Sequence, residues 1–325
     1  MTVNSREKRG RRLGAAALAA TLLVAACGGG SEPERRFHAT RVIAFGDESS
    51  LIVDTRNNAN GSKYTVNATV SETDQTLVCG ANAVWSQSVA ASYGLFFPEC
   101  NPSAVVAPTS RIRAAFGARA ADLGAQIDAQ QAESPLGAGD MTTVLIGEHD
   151  VLAEYRKYPA VGSDQLVANV EAQGAEVGRQ VNRITDTGAK VLLSTIMDVG
   201  YSPFATGERD ADKITLLSLL SQRFNASMRA TIVNDGRRIG LILLDELTVS
   251  VVKFPGFQGF TNAFVGVCDL TKSALTPPSI LDCTPQTFVT GGTASYFWAD
   301  DLHLSASAQN FLGTAAITRT QNNPF

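Results

Sequence analysis

Short, almost wholly apolar β-rich runs recur along this chain with helix-length segments between them, and that alternation limits the folds open to it. Thr40 to Phe45, Thr142 to Ile146, Lys190 to Ile196 and Ile239 to Leu244 are such runs. Helical spacing predicts helices over 83–93, 114–131, 164–187 and 212–235, with Gly94 and Gly188 as stops and Ser305 capping a last helix to about residue 318. Lys63 to Val70 reads as a further strand after a turn at 58–61. Strands apolar on both faces and joined by helices imply a parallel sheet covered on both sides. Ligands of such sheets sit beyond the carboxyl ends of the strands. The polar residues that follow strands, Asp47 to Ser50 and Glu148 to Asp150, therefore mark a cleft.

Composition narrows the function classes. With 44% hydrophobic residues in 325, the chain can bury a large core and is not a disordered one. Outside its first 27 residues it carries 22 basic against 30 acidic residues, which argues against a nucleic-acid partner. Three His and five Cys are too few for a zinc-finger array.

The N-terminus reads as an export signal. Arg6, Lys8, Arg9, Arg11 and Arg12 precede a 14-residue apolar run, Leu13 to Ala26, too short to span a bilayer. Val24-Ala25-Ala26-Cys27 resembles a bacterial lipobox, in which the Cys is lipidated and becomes the mature N-terminus. An ordinary signal cut near Ala26 is the alternative. The expected organisation is a signal over 1–27 with lipidated Cys27, a flexible tether over 28–39, and one domain over 40–325. The expected location is the bacterial cell envelope, lipid-anchored at the outer membrane. Of the remaining cysteines, three pairings are open, and loop closure favours Cys79 with Cys100 and Cys268 with Cys283.

Four blocks then carry a family resemblance. Phe45-Gly46-Asp47-Glu48-Ser49-Ser50 resembles the first block of the GDSL/SGNH hydrolases. Ala115-Phe116-Gly117-Ala118-Arg119 is similar to their glycine block, Gly147-Glu148-His149-Asp150 stands at the third, and Asp300-Asp301-Leu302-His303 is similar to the last. Residues 256–262 and 296–299 also resemble the esterase branch. The resemblance implies a flavodoxin-like, three-layer α/β/α sandwich that hydrolyses acyl or acetyl esters without a cofactor, as a monomer. It implies His303 as base, Asp300 as its orienter, and oxyanion donors at Gly117 and the third block.

Two positions depart from the family pattern. Glu48 stands where the family has its nucleophilic Ser, and His149 where it has an oxyanion Asn. Three readings follow. In one, a turn reset by a residue aims Ser49 at His303 and His149 donates to the oxyanion. In another, Glu48 faces the cleft and the domain is a non-catalytic binder or scaffold. In the third, Glu48, His149 and His303 converge as ligands of a divalent metal. Asp47 is expected to hold the turn, Asp150 to cap the helix after it, and Trp85 and Trp298 to lie in the core.

Overall fold

A computed structural model describes residues 37–53 and 61–325. Cys27 and most of the expected tether lie outside the described residues. His38–Phe325 forms one compact unit.

Its centre is a five-stranded parallel sheet. In chain order the strands are β1 (Arg41–Gly46), β4 (Arg111–Ile112), β5 (Asp140–Leu145), β6 (Lys190–Ser194) and β7 (Ile239–Ile242), and in space they run β4-β1-β5-β6-β7. β1 pairs with β5 along its length, from Arg41 opposite Asp140 to Gly46 opposite Leu145. Every residue of β5 is buried, as a strand covered on both faces requires. Two short ribbons complete the strands: β2 (Ile52–Val53) with β3 (Ser62–Lys63), and β8 (Asn262–Gly266) with β9 (Tyr296–Trp298).

Helices cover both sides. α1 (Trp85–Ser92) packs with α8 (Ala306–Asn322) on one face. On the other, α2 (Ala120–Glu133), α4 (Ser163–Asp186) and α6 (Ala211–Thr231) pack together. The remaining helices are short: α3 (Glu148–Tyr155), α5 (Pro203–Gly207) and α7 (Leu244–Lys253). This is the parallel sheet covered on both sides that the alternation predicts, and the three-layer α/β/α sandwich that the resemblance implies. α4 shows why: Leu166, Val170, Val177, Val181 and Ile184 recur at helical spacing and are all buried. Each such side chain contributes about 1.5–3 kcal/mol on leaving water. Trp85 and Trp298 are fully buried, Ser305 caps α8 through the Ala308 N–H, and Gly188 follows α4 with a φ of 91°.

Three local expectations are corrected. Of the strand expected over 63–70, only its first residue is a strand residue, because Asn67 turns back to bond the carbonyls of Lys63 and Thr65. The helix expected from 114 begins at Ala120, since Gly117 adopts a φ of 72° in the preceding loop. Asp150 lies inside α3, and its carboxylate accepts the Ala120 N–H at 2.8 Å, so it caps α2 from across the sheet edge.

Both disulfides form the short loops, Cys79–Cys100 and Cys268–Cys283. The second sits in a satellite core with Val66, Val267, Ile280 and Ala299, directly before Asp300. No helix among the described residues is long and apolar enough to cross a membrane.

Candidate active site

The site begins where β1 stops. Gly46 has a φ of 124°, and a Cβ there would lie 1.9 Å from the Leu145 carbonyl oxygen, so only glycine lets β1 turn away beside β5. Asp47 follows in extended conformation and its Oδ1 accepts the Ser49 N–H at 3.0 Å, as expected of a turn-holding residue. Glu48–Ser50 then form one regular 3₁₀ turn.

The phase of that turn decides which side chain faces the cleft. Ser50 points inward and accepts the Trp85 indole N–H at 2.9 Å. Glu48 is brought to His303, and the reset turn that would aim Ser49 there does not form. A regular turn contains no bulge to absorb the rotation of about 100° that one residue of helix imposes.

Glu48 is only 4% exposed, yet both its oxygens have partners. Oε2 accepts the Gly117 backbone N–H at 2.9 Å. Oε1 lies 2.7 Å from His149 Nε2 and 3.5 Å from His303 Nε2. The first is a hydrogen bond. The second is an ion-pair contact, and His303 Nε2, itself buried, has no hydrogen-bond partner.

His303 is fixed from behind. Asp300 Oδ1 accepts the His303 and Leu302 backbone N–H groups at 2.7 and 3.0 Å. Its two carboxylate oxygens lie 2.9 and 2.8 Å from His303 Nδ1. That arrangement keeps a proton on Nδ1 and turns Nε2 to the cleft. β9 delivers this loop, and the segment after β8 supports it through the Cys268 N–H, which donates to the Ala299 carbonyl at 2.8 Å.

The charges follow from the contacts. Burial alone would raise the Glu48 pKa, but the hydrogen bonds from His149 and Gly117 and the nearby His303 ring outweigh it and hold the carboxyl well below its usual range. Burial alone would lower His303, but the charge and hydrogen bond of Asp300, with Glu48 in front, hold it well above the usual imidazole range. His149 is raised against burial by Glu48. Glu48 and the two imidazoles thus favour one another's charged forms. Behind them, burial pushes Glu148 up to about 8, with the charge of Asp47 adding to the effect.

One wall of the cleft is aromatic. Tyr64 stacks on His303 at 5.6 Å and on Phe116 at 5.2 Å, and Phe116 meets His149 edge-on at 6.1 Å. Phe116 is 63% exposed, so this stack runs from the buried imidazole to open solvent. Sequence reasoning missed Tyr64, because nothing in its spacing ties it to a residue 239 positions later.

Glu48, His149 and His303 do converge, as the metal reading requires. They meet as direct partners, with 2.7 Å between His149 Nε2 and Glu48 Oε1. Among the described residues no group of three or more His, Cys, Asp or Glu side chains is disposed to hold a metal.

No family model and no curated protein matches this chain. Solved structures that it resembles include the acetyl xylan esterase AlAXEase, at 12% identity over 86% of this chain and 98% of that one, with a TM-score of 0.42. Another is Axe2, an acetylxylan esterase from Geobacillus stearothermophilus, at 11% identity over 88% and 96%, with a TM-score of 0.41. A third is a member of the lipolytic protein G-D-S-L family from Veillonella parvula, at 9% identity over 86% and 96%, with a TM-score of 0.38.

Proposed function

We propose that this cleft is an ester-hydrolysing site in which the Glu48 carboxylate, and not a serine hydroxyl, is the group that reacts. One observation carries this: Glu48 Oε1 stands 3.5 Å from His303 Nε2, at the mouth of the Asp300–His303 pair. Attack by Ser49 would have to develop an oxyanion beside a fixed carboxylate. At about 4 Å and an effective dielectric near 20 that repulsion costs ~4 kcal/mol, about a thousandfold in rate. An ionised carboxylate needs no base to become nucleophilic. In this scheme His303 gives its proton to the leaving oxygen, then takes one from the water that opens the intermediate on Glu48. Asp300 orients the ring, His149 supplies a hydrogen-bond donor, and the Gly117 N–H holds Oε2 of the reacting carboxylate.

In the same proposal the domain is an envelope lipoprotein held by lipid at Cys27 and acting on small esters as a monomer. The basic flank, short apolar run and small residues before Cys27 support this.

A catalytically silent binding domain is the second reading, favoured by the fact that both Glu48 oxygens already have partners. Hydrolysis of an aryl acetate by the full-length protein in detergent separates the two. The hydrolase reading expects Ser49→Ala to retain turnover, Glu48→Gln to lose it, and His303→Ala to lose on the order of a hundredfold or more. Turnover lost with Ser49→Ala overturns the role of Glu48. Absence of turnover in the unaltered protein favours the binder.

A further inference from the structure

The two oxygens of Glu48 have different surroundings. Oε2 occupies the Gly117 N–H at 2.9 Å, the donor expected to hold an oxyanion. Oε1 faces the imidazoles of His149 and His303. A hole already filled by one oxygen of the reacting carboxylate is closed to the carbonyl oxygen of a substrate ester. It is placed instead for a tetrahedral centre that forms at Cδ of Glu48 itself.

Resting on the proposal that Glu48 reacts, we infer that Oε1 attacks a saturated electrophilic carbon, that of an epoxide, and that the remaining machinery hydrolyses the glutamyl ester so formed. In the first step an Oε1 lone pair forms the new carbon–oxygen bond while the ring carbon–oxygen bond breaks. The ring oxygen takes the proton of His303 Nε2, leaving a hydroxyalkyl ester on Glu48 and a neutral imidazole. In the second step water adds to Cδ as His303 takes its proton, and the oxyanion at Oε2 is held by the Gly117 N–H. Collapse expels the alkoxide, which takes the proton from His303. The free Glu48 carboxyl then returns its own proton to His303. The balance is one epoxide and one water consumed and one diol released.

Two further observations fit this class. An epoxide oxygen must be protonated as it leaves, and His303 Nε2 is a buried ring nitrogen with no hydrogen-bond partner, 3.5 Å from Oε1. The Tyr64–Phe116 stack beside it offers an apolar, partly open wall for an aryl substituent.

The test uses the full-length protein, in excess over styrene oxide, in heavy-oxygen water. The expected result is a first-turnover diol without the label, because its new oxygen comes from Glu48, and a heavy oxygen retained in the peptide containing Glu48. Glu48→Gln, with an unchanged melting temperature, is expected to form neither adduct nor diol. Label in the first-turnover diol and none in Glu48 overturns the inference, as does recovery of unreacted epoxide. Aryl acetate turnover that depends on Glu48, with the epoxide untouched, sinks this inference and leaves the ester-hydrolysing proposal standing. Loss of both removes both.

Discussion

Glu48 Oε2 accepts the backbone N–H of Gly117 at 2.9 Å, across 69 residues of sequence. An acidic side chain thereby occupies the backbone donor that the sequence resemblance assigns to an oxyanion.

The Asp300–His303 loop rests on β8 with no spare space. A Cβ added at Gly266 would lie 2.6 Å from Asp300 Cα. Gly266→Ala must therefore displace the loop, at about 1–3 kcal/mol of stability. Displacement near 1 Å costs on the order of a hundredfold in rate. Aryl acetate kinetics alongside a melting curve check this, and unchanged turnover would contradict the role given to the loop.

The disulfide Cys268–Cys283 closes a loop with a sequence separation of 15 and belongs to the satellite core that includes Ala299. The paired change Cys268→Ala and Cys283→Ala is expected to lower stability by ~3 kcal/mol, measured by urea unfolding. Turnover should fall with it, since Asp300 follows Ala299 directly. Paired alanines at Cys79 and Cys100 are expected to cost stability with a smaller effect on turnover.

Stability should decline as pH rises. Burial lifts Glu148 from 4.5 to about 8, so the carboxyl is neutral in the fold at low pH. A group whose folded pKa is raised stabilises the fold below its unfolded value, and that contribution is lost between 4.5 and about 8. His303, raised by Asp300 against burial, acts in the same sense above 6.5. Glu48, held low, acts oppositely and only in strong acid. Melting temperatures from pH 5 to 9 should fall, and Glu148→Gln should flatten the slope. An unaltered slope in that variant would contradict the assignment.

Much of this fold was legible because its evidence is local. β6 has an apolar centre, Val191–Leu193, β5 is buried along its whole length, and α4 keeps its apolar residues at helical spacing from Leu166 to Ile184, about five turns. β4 is only Arg111–Ile112, with neither an apolar run nor a period to show it. The helix that Asp150 caps is not legible in its neighbours, because its partner, the Ala120 N–H, lies 30 residues upstream. At the site the sequence supplied Glu48, His149, Asp300 and His303, but it left three arrangements open. The choice depends on the phase of one 3₁₀ turn, fixed by Asp47 and by the Trp85 bond to Ser50, which composition and spacing do not reveal.

The central claim is that position 48, not 49, holds the group that reacts. A fluorophosphonate probe, which marks an activated serine beside a base, tests it most directly on the unaltered protein and on Glu48→Ser. The expected result is an unlabelled native protein and a Glu48→Ser protein labelled at residue 48, with labelling lost again when His303 is changed to Ala. A label on Ser49 of the native protein would contradict the account.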